Sequence, residues 1–369
     1  MYKYMNEHDI KTQAWYCSDI SVKGGLDKQF GVQVKWDVPL LDGYEHTFFK
    51  NYTWHPDITD SFFSAINWGM IYQLFKQPKS VIVVHGWHYL THFLILMLGQ
   101  FRGHTVCVRC DMPQNLEALK KGWKQRVKYF GLKYILFPRI NYFLYIGTQN
   151  RLLYKRYDIL DKRLVFCPYS VDNERFKKER LFLSDKRNDI LKKLGIGPDE
   201  KVILYTGKYI AIKRPIDLLK AFSLLNDPDT WLIMVGEGDL RSEMETYIRE
   251  HGLTRVILTG FVNQSLIAEY YSISDVLVMC TIGDNWGLSI NEGMCFNLPV
   301  VVSDLTGCAD DLIIPGVNGY VFETGNAADL AVKLRDILFG KTLTWEVSSE
   351  AIIDKYSYSE VVKNLNQLL

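Results

Sequence analysis

A chain of 369 residues is longer than one hydrophobic core usually serves, so two domains are expected. With 48% hydrophobic and 14% aromatic residues it reads as a well-cored globular protein, and a net charge of +1 argues against a general nucleic-acid binder, leaving only local patches. The N-terminal MYKYMNEHDIK is polar throughout, and no segment reaches the roughly 18 uninterrupted apolar residues of a membrane span. Neither a signal peptide nor a spanning helix is therefore expected, which points to the cytoplasm or the inner face of a membrane. Seven scattered cysteines, Cys17, Cys107, Cys110, Cys167, Cys280, Cys295 and Cys308, suit a reducing compartment. Cys107 and Cys110 form a CxxC spacing but have no second pair and no nearby histidine cluster, so they read as small strand residues.

In chain order, the first half offers the strand candidates KTQAWYCS, HTFFKNY, SVIVVHG, TVCVRC, YFLYIGT and LVFCPYS. His85 ends the third of these, where doubly wound folds place ligand-facing residues. Residues 116–139 carry Lys120, Lys121, Lys124, Arg126, Lys128, Lys133 and Arg139 against the single acid Glu117, interleaved with Trp123, Val127, Phe130, Tyr134 and Ile135. Such a segment suits either an anionic membrane surface or a domain-packing helix with solvated lysines. The charged run 177–200 reads as a linker. From 201 onward, near-continuous apolar strands (VILYTG, TWLIMVG, RVILTGFV, DVLVMC, PVVVSD, GYVFE) alternate with amphipathic helices, which indicates a parallel sheet covered on both faces.

The most informative stretch is TIGDNWGLSINEGMCFNLPVVVSD, residues 281–304. A strand ends in a loop carrying Asp284, Asn285, Trp286 and Gly287, and a helix comes next whose first N–H groups lack intrahelical partners, an anion-binding arrangement. Glu292 stands about five residues into that helix, roughly 7 Å along its axis, so that a diphosphate fits between two carboxylates. An ordinary solvated helix fits the same spacing.

These residues resemble the signature of the retaining GT-B glycosyltransferases of family four (glycosyl transferases group 1). In that family an acidic residue and Gly-Phe-Gly-Leu precede Glu-Ala-Met-Ala-x-Gly-x-Pro-Val-Val. Here the run is Asp284-Asn285-Trp286-Gly287-Leu288, then Glu292-Gly293-Met294 and Leu298-Pro299-Val300-Val301, and residues 315–322, PGVNGYVF, match a later turn and strand. The resemblance implies an α/β chain on the GT-B plan, two Rossmann-like domains with an interdomain cleft. It places the first domain at 1–178, the nucleotide-sugar domain at 179–345, and a helix within 346–369 that crosses back. The family's opening strand and Gly-rich loop find no match, so the first strand of the N-terminal domain is expected to be missing.

The resemblance also implies roles. Lys208, after Gly207, and Lys213 would face the diphosphate; Glu292 would accept ribose hydroxyls and Asp284 those of the donor sugar. Gly287 and Leu288 would offer N–H groups to phosphate, Asn285 and Trp286 would border the sugar, and the loop at Val262 would read the base. His85 would contact the donor sugar, and Arg109 with Asp111 would lie on the acceptor side, unless they are a structural pair. The implied activity is retaining sugar transfer from a nucleotide sugar to a glycan or lipid-linked acceptor, as in surface-polysaccharide synthesis. No metal or other cofactor is expected: Asp227-Pro228-Asp229 reads as a turn, and cations with helix N–H groups supply the electrostatics. A non-catalytic nucleotide-sugar or glycan-binding relative, or a GT-B nucleotide-sugar epimerase, are the alternatives.

Overall fold

A computed structural model describes residues 1–27, 32–54, 61–340, 343–344 and 346–369. The chain divides into two compact units. The first comprises Met1–Gly24, Pro39–Tyr169 and Tyr358–Leu369, the second Gly25–Val38 and Ser170–Ser357. The division therefore falls at 169/170 rather than 178/179. Residues 346–357 stay with the second unit, only the last stretch, which begins with the helix Tyr358–Leu365, joins the first, and a short segment near the N-terminus belongs to the second.

The strands, in chain order, are β1 (Gln13–Tyr16), β2 (Gly25–Asp27), β3 (Val32–Val34), β4 (Glu45–Phe48), β5 (Val81–His85), β6 (Thr105–Arg109), β7 (Tyr142–Tyr145) and β8 (Leu164–Phe166). They continue as β9 (Lys201–Thr206), β10 (Thr230–Val235), β11 (Val256–Leu258), β12 (Val276–Met279), β13 (Val300–Ser303) and β14 (Gly319–Phe322). In the first unit β5–β8 form a parallel sheet in sequence order, while β1 and β4 pair with each other in a separate two-stranded sheet. Among the described residues β5 has a strand neighbour on one side only. Period-2 alternation sends the side chains of β6 to opposite faces. Val106, Val108 and Cys110 join Leu96, Phe137 and Phe143 in one core, and Cys107 joins Leu144, Cys167 and Val361 in another. Cys107 and Cys110 thus point away from each other, and burial pushes both thiols up to about 12, which suits the reading of small strand residues.

In the second unit β2 and β3 form an antiparallel pair, and the main sheet is wholly parallel with the order β11-β10-β9-β12-β13-β14. This is the doubly wound order in which the chain reverses direction across the sheet between β9 and β12, and ligands bind outside the carboxyl ends of the strands at that point. The four inner strands, β10, β9, β12 and β13, are buried on both faces, as their near-continuous apolar runs require. The helices Pro215–Leu225 and Ala327–Phe339 bury Leu218, Phe222, Leu330 and Leu334 in the core beside Ile203, Met234 and Val278.

The run 177–200 is no linker. Asp172 caps a helix, Asn173–Leu183, by accepting the Arg175 N–H at 3.0 Å, and a second helix covers Arg187–Lys193. Their charges are engaged: Arg180 pairs with Glu350 at 2.7 Å, and Lys177 with Glu350 and Asp354. Phe176, Leu183, Ile190 and Leu191 are the apolar stripe beneath.

Candidate functional site

The loops after β9, β12 and β13 meet at the switch point of the second unit. Ile212, in the loop after β9, accepts hydrogen bonds from the Ile282 N–H at 3.0 Å and the Thr281 hydroxyl at 2.9 Å. The N–H groups of Gly307 and Cys308 donate to the carbonyls of Asp284 and Trp286, which ties the loop after β13 to the signature loop. Backbone groups are thereby satisfied and the loops are fixed relative to one another.

Within this frame the Lys213 ammonium forms an ion pair with the Asp284 carboxylate, both largely shielded from solvent. The residues expected at the diphosphate and at the donor sugar thus neutralise one another. Arg214, next in sequence, adopts the left-handed conformation (φ 46°), and its guanidinium pairs with Asp217. Lys208 is half-buried just past the end of β9, and its carbonyl accepts the Tyr205 hydroxyl at 3.0 Å. Gly207 donates its N–H to the Val235 carbonyl at 2.9 Å.

Helix Leu288–Cys295 begins at Gly287, whose φ of 98° is left-handed, and no side chain caps it. The Asp284 carboxylate instead accepts the Trp286 N–H at 3.2 Å, which shapes the loop. Asn285 and Leu288 are exposed at its rim. Trp286 is not: at 2% exposure it donates its indole N–H to Asn291 at 2.9 Å and packs on Tyr356. Its side chain therefore props the loop from below instead of bordering a sugar. Gly307 shows how closely the loops approach, because a Cβ there would lie 1.9 Å from the Asn285 carbonyl oxygen. Gly307→Ala should displace the 284–286 loop. It should cost about 1–3 kcal/mol or more in a denaturant titration and weaken nucleotide binding with it. Native stability and affinity in this variant would show that the loop is free to move.

Glu292 lies one turn into the helix and accepts the Tyr271 hydroxyl at 2.7 Å. Burial raises its pKa, and the nearby Tyr271, Gln264 and Arg175 only partly offset that. Tyr271 and Arg175 were not marked by any local motif; Arg175 reaches the region from helix Asn173–Leu183, donating to Gln264 at 2.8 Å and pairing with Glu179. Val262 is half-buried in the loop after β11. An unexpected neighbour holds that loop: Asn263 donates to the Lys35 carbonyl at 2.7 Å, Asp37 accepts from Ser265, and the Trp36 and Phe261 rings meet edge-on at 6.2 Å.

In the first unit His85 stands opposite Arg109 in the β5–β6 register and lies 3.1 Å from the Tyr2 hydroxyl. Its ring is open to solvent on one side, yet the surrounding protein, and then the Arg109 charge, lower its pKa, so it is neutral at pH 7. Arg109 itself is buried. It donates to the Pro168 carbonyl at 2.7 Å and the Cys167 carbonyl at 3.3 Å, and its guanidinium lies over the Tyr169 ring. This is a clamp between the ends of β6 and β8, which corrects both the acceptor-side role expected of Arg109 and the alternative of a pair with Asp111. Asp111 instead accepts the Tyr169 hydroxyl at 3.2 Å. Asp227, read as turn chemistry, accepts the Asp229 N–H and the Thr230 hydroxyl.

Residues 186–357 match the model of the family described as Glycosyl transferases group 1. N-acetyl-alpha-D-glucosaminyl L-malate synthase of Bacillus anthracis is 23% identical over 192 residues, 51% of this chain and 50% of that protein. Poly(ribitol-phosphate) alpha-N-acetylglucosaminyltransferase of Staphylococcus aureus is 28% identical over 173 residues, 44% of this chain and 34% of that one. The chain spans about half the length of the first curated relatives it matches. Anabaena HepE, solved in complex with UDP and glucose, superimposes with a TM-score of 0.65 at 15% identity, covering 88% of this chain and 86% of the other. That likeness establishes the fold, two Rossmann-like α/β domains of the GT-B type. Within the chain, residues 186–357 are thus similar to the Glycosyl transferases group 1 family.

Proposed function

We propose that this chain is a metal-independent, retaining glycosyltransferase that moves a sugar from a nucleotide sugar to a glycan or lipid-linked acceptor in surface-polysaccharide synthesis. The observation that carries the reading is the Lys213–Asp284 pair at the β9/β12 switch point, beside the uncapped start of helix Leu288–Cys295 and the half-buried Glu292. A cation and free N–H groups are what a diphosphate requires, and the two carboxylates are suited to hydroxyls on either side of it. The glycan-directed names of relatives and the UDP and glucose held by HepE favour a nucleotide-sugar donor and a glycan acceptor.

In this reading the bond between sugar and diphosphate breaks while the acceptor oxygen bonds to the same face of the anomeric carbon. A diphosphate oxygen takes the acceptor proton, and no protein nucleophile is needed. Lys208, Lys213 and the N–H groups of Gly287 and Leu288 stabilise the charge on the leaving nucleotide. Asp284 and Asn285 accept or donate at donor-sugar hydroxyls; on the first unit, His85 and Asp111 are the groups available to the substrates.

A panel of nucleotide sugars screened for thermal stabilisation identifies the donor, and hydrolysis of that donor without acceptor then reads the chemistry. Turnover is expected to persist in EDTA. Loss of turnover in EDTA, restored by magnesium or manganese, would overturn the metal-free mechanism. Binding without hydrolysis would make the chain a nucleotide-sugar-binding scaffold, and a product of unchanged mass an epimerase.

A further inference from the structure

Helix Trp123–Phe130 has no buried residue. Trp123 is 71% exposed and Phe130 57%, and Val127, Tyr134 and Ile135 are exposed with them. The spacing of 123, 127, 130 and 134 tracks one helical face, and the Phe130 and Tyr134 rings stack on it at 5.8 Å. Beyond Gly131 the opposite side turns to the core through Leu132 and Leu136, so the aromatic face is the outward one. Phe101, 69% exposed, lies under the Arg139 guanidinium at 5.1 Å. The face is a ridge, not the packing surface of a domain helix.

The charges sort into two sets. Lys120 and Lys128 converge on the buried Glu117 at 3.0 and 2.6 Å, and Lys133 pairs with Asp158. Burial opposes ionisation of Glu117, but its two lysines outweigh that and lower its pKa. These pairs lace helix Trp123–Phe130 back to the buried Glu117. Among the described residues Lys121, Lys124 and Arg126 meet no carboxylate, and Lys124 lies 6.0 Å from the Trp123 ring.

We propose that this ridge docks the first unit on an anionic lipid surface, with Trp123, Phe130 and Tyr134 entering the headgroup boundary and Lys121, Lys124 and Arg126 meeting lipid phosphates. An exposed row of aromatics flanked by unpaired cations matches a bilayer interface, which supplies negative charge and an apolar layer without demanding a shaped partner. The proposal does not rest on the sugar-transfer reading and is scored without turnover.

Co-sedimentation with vesicles of phosphatidylcholine alone, and of phosphatidylcholine mixed with phosphatidylglycerol, tests it on the full chain. Binding is expected to the mixed vesicles and to weaken with added salt. Lys120 and Lys128 are left intact because they hold Glu117. Lys121→Glu with Lys124→Glu and Arg126→Glu should lower partitioning more than about a hundredfold, at roughly fivefold for each cation removed. Trp123→Ser with Phe130→Ser should release the protein as well, and both variants should keep the wild-type thermal midpoint, since none of these residues is buried. Equal binding to neutral vesicles, or wild-type partitioning of the triple variant, overturns the proposal. So does vesicle-independent self-association that the Trp123 and Phe130 changes abolish, which would make a second copy the occupant.

Discussion

Glu292→Gln is expected to make the protein more stable and less able to hold its donor. The two effects share a cause. Burial raises the Glu292 pKa above that of the unfolded chain. As pH rises through the ordinary carboxylate range, about 4.3 for glutamate, the unfolded chain gives up this proton while the folded protein retains it. Stability therefore falls with rising pH until the folded pKa is passed, and at higher pH the full cost is carried. Glutamine fills the same volume, still accepts the Tyr271 hydroxyl, and carries no charge to desolvate. Its thermal midpoint should exceed that of the wild type at pH 7, and the difference should shrink toward pH 4. A charged acceptor contributes about 1.5–3 kcal/mol to each hydrogen bond it takes, so donor affinity or turnover should drop roughly ten- to hundredfold. Destabilisation, or unaltered donor kinetics, would place Glu292 outside the site. A carboxylate kept where it costs stability is what a binding site requires and a packing position does not.

Much of this architecture was legible in the sequence for a simple reason. Strands buried on both faces need continuous apolar runs, and the runs ending at His85, Arg109, Thr206 and Ser303 are strands in the structure. The signature segment was legible because a left-handed glycine, an uncapped helix start and a carboxylate one turn on all fall within a few residues. What could not be read depends on contacts distant in sequence. The 177–200 run looks like a linker because its charges outnumber its apolar residues, but Lys177 and Arg180 are matched by Glu350 and Asp354, far along the chain. Arg109 resembles a ligand contact until the carbonyls of Cys167 and Pro168 are found within reach of its guanidinium. Trp286 lies within the right motif, yet its size sends it into the core toward Asn291. Tyr271 has no motif at all, and only the fold brings its hydroxyl to Glu292.

The second large effect concerns the Lys213–Asp284 pair, whose members should respond in opposite directions to a nucleoside diphosphate. The ammonium is neutralised by the carboxylate, so a diphosphate must draw Lys213 away from Asp284 and bind close to the carboxylate it leaves. Lys213→Ala removes the cation and leaves the negative charge, and should weaken nucleoside diphosphate binding roughly ten- to hundredfold in calorimetry. It should also lower stability, because a shielded carboxylate loses its partner. Asp284→Asn frees the cation and removes the repulsion, so the same nucleoside diphosphate should bind more tightly. Transfer should nevertheless slow, since the donor sugar loses a charged acceptor for its hydroxyls. The combined variant should not equal the sum of the two, because each change alters the partner's charge environment. If Asp284→Asn weakened nucleoside diphosphate binding as much as Lys213→Ala, the pair would be a structural clamp between the loops after β9 and β12. If it strengthened that binding while transfer fell, the carboxylate would be holding Lys213 in reserve until a donor arrives and then turning to the sugar, which is the division of labour that the geometry of the switch point supports.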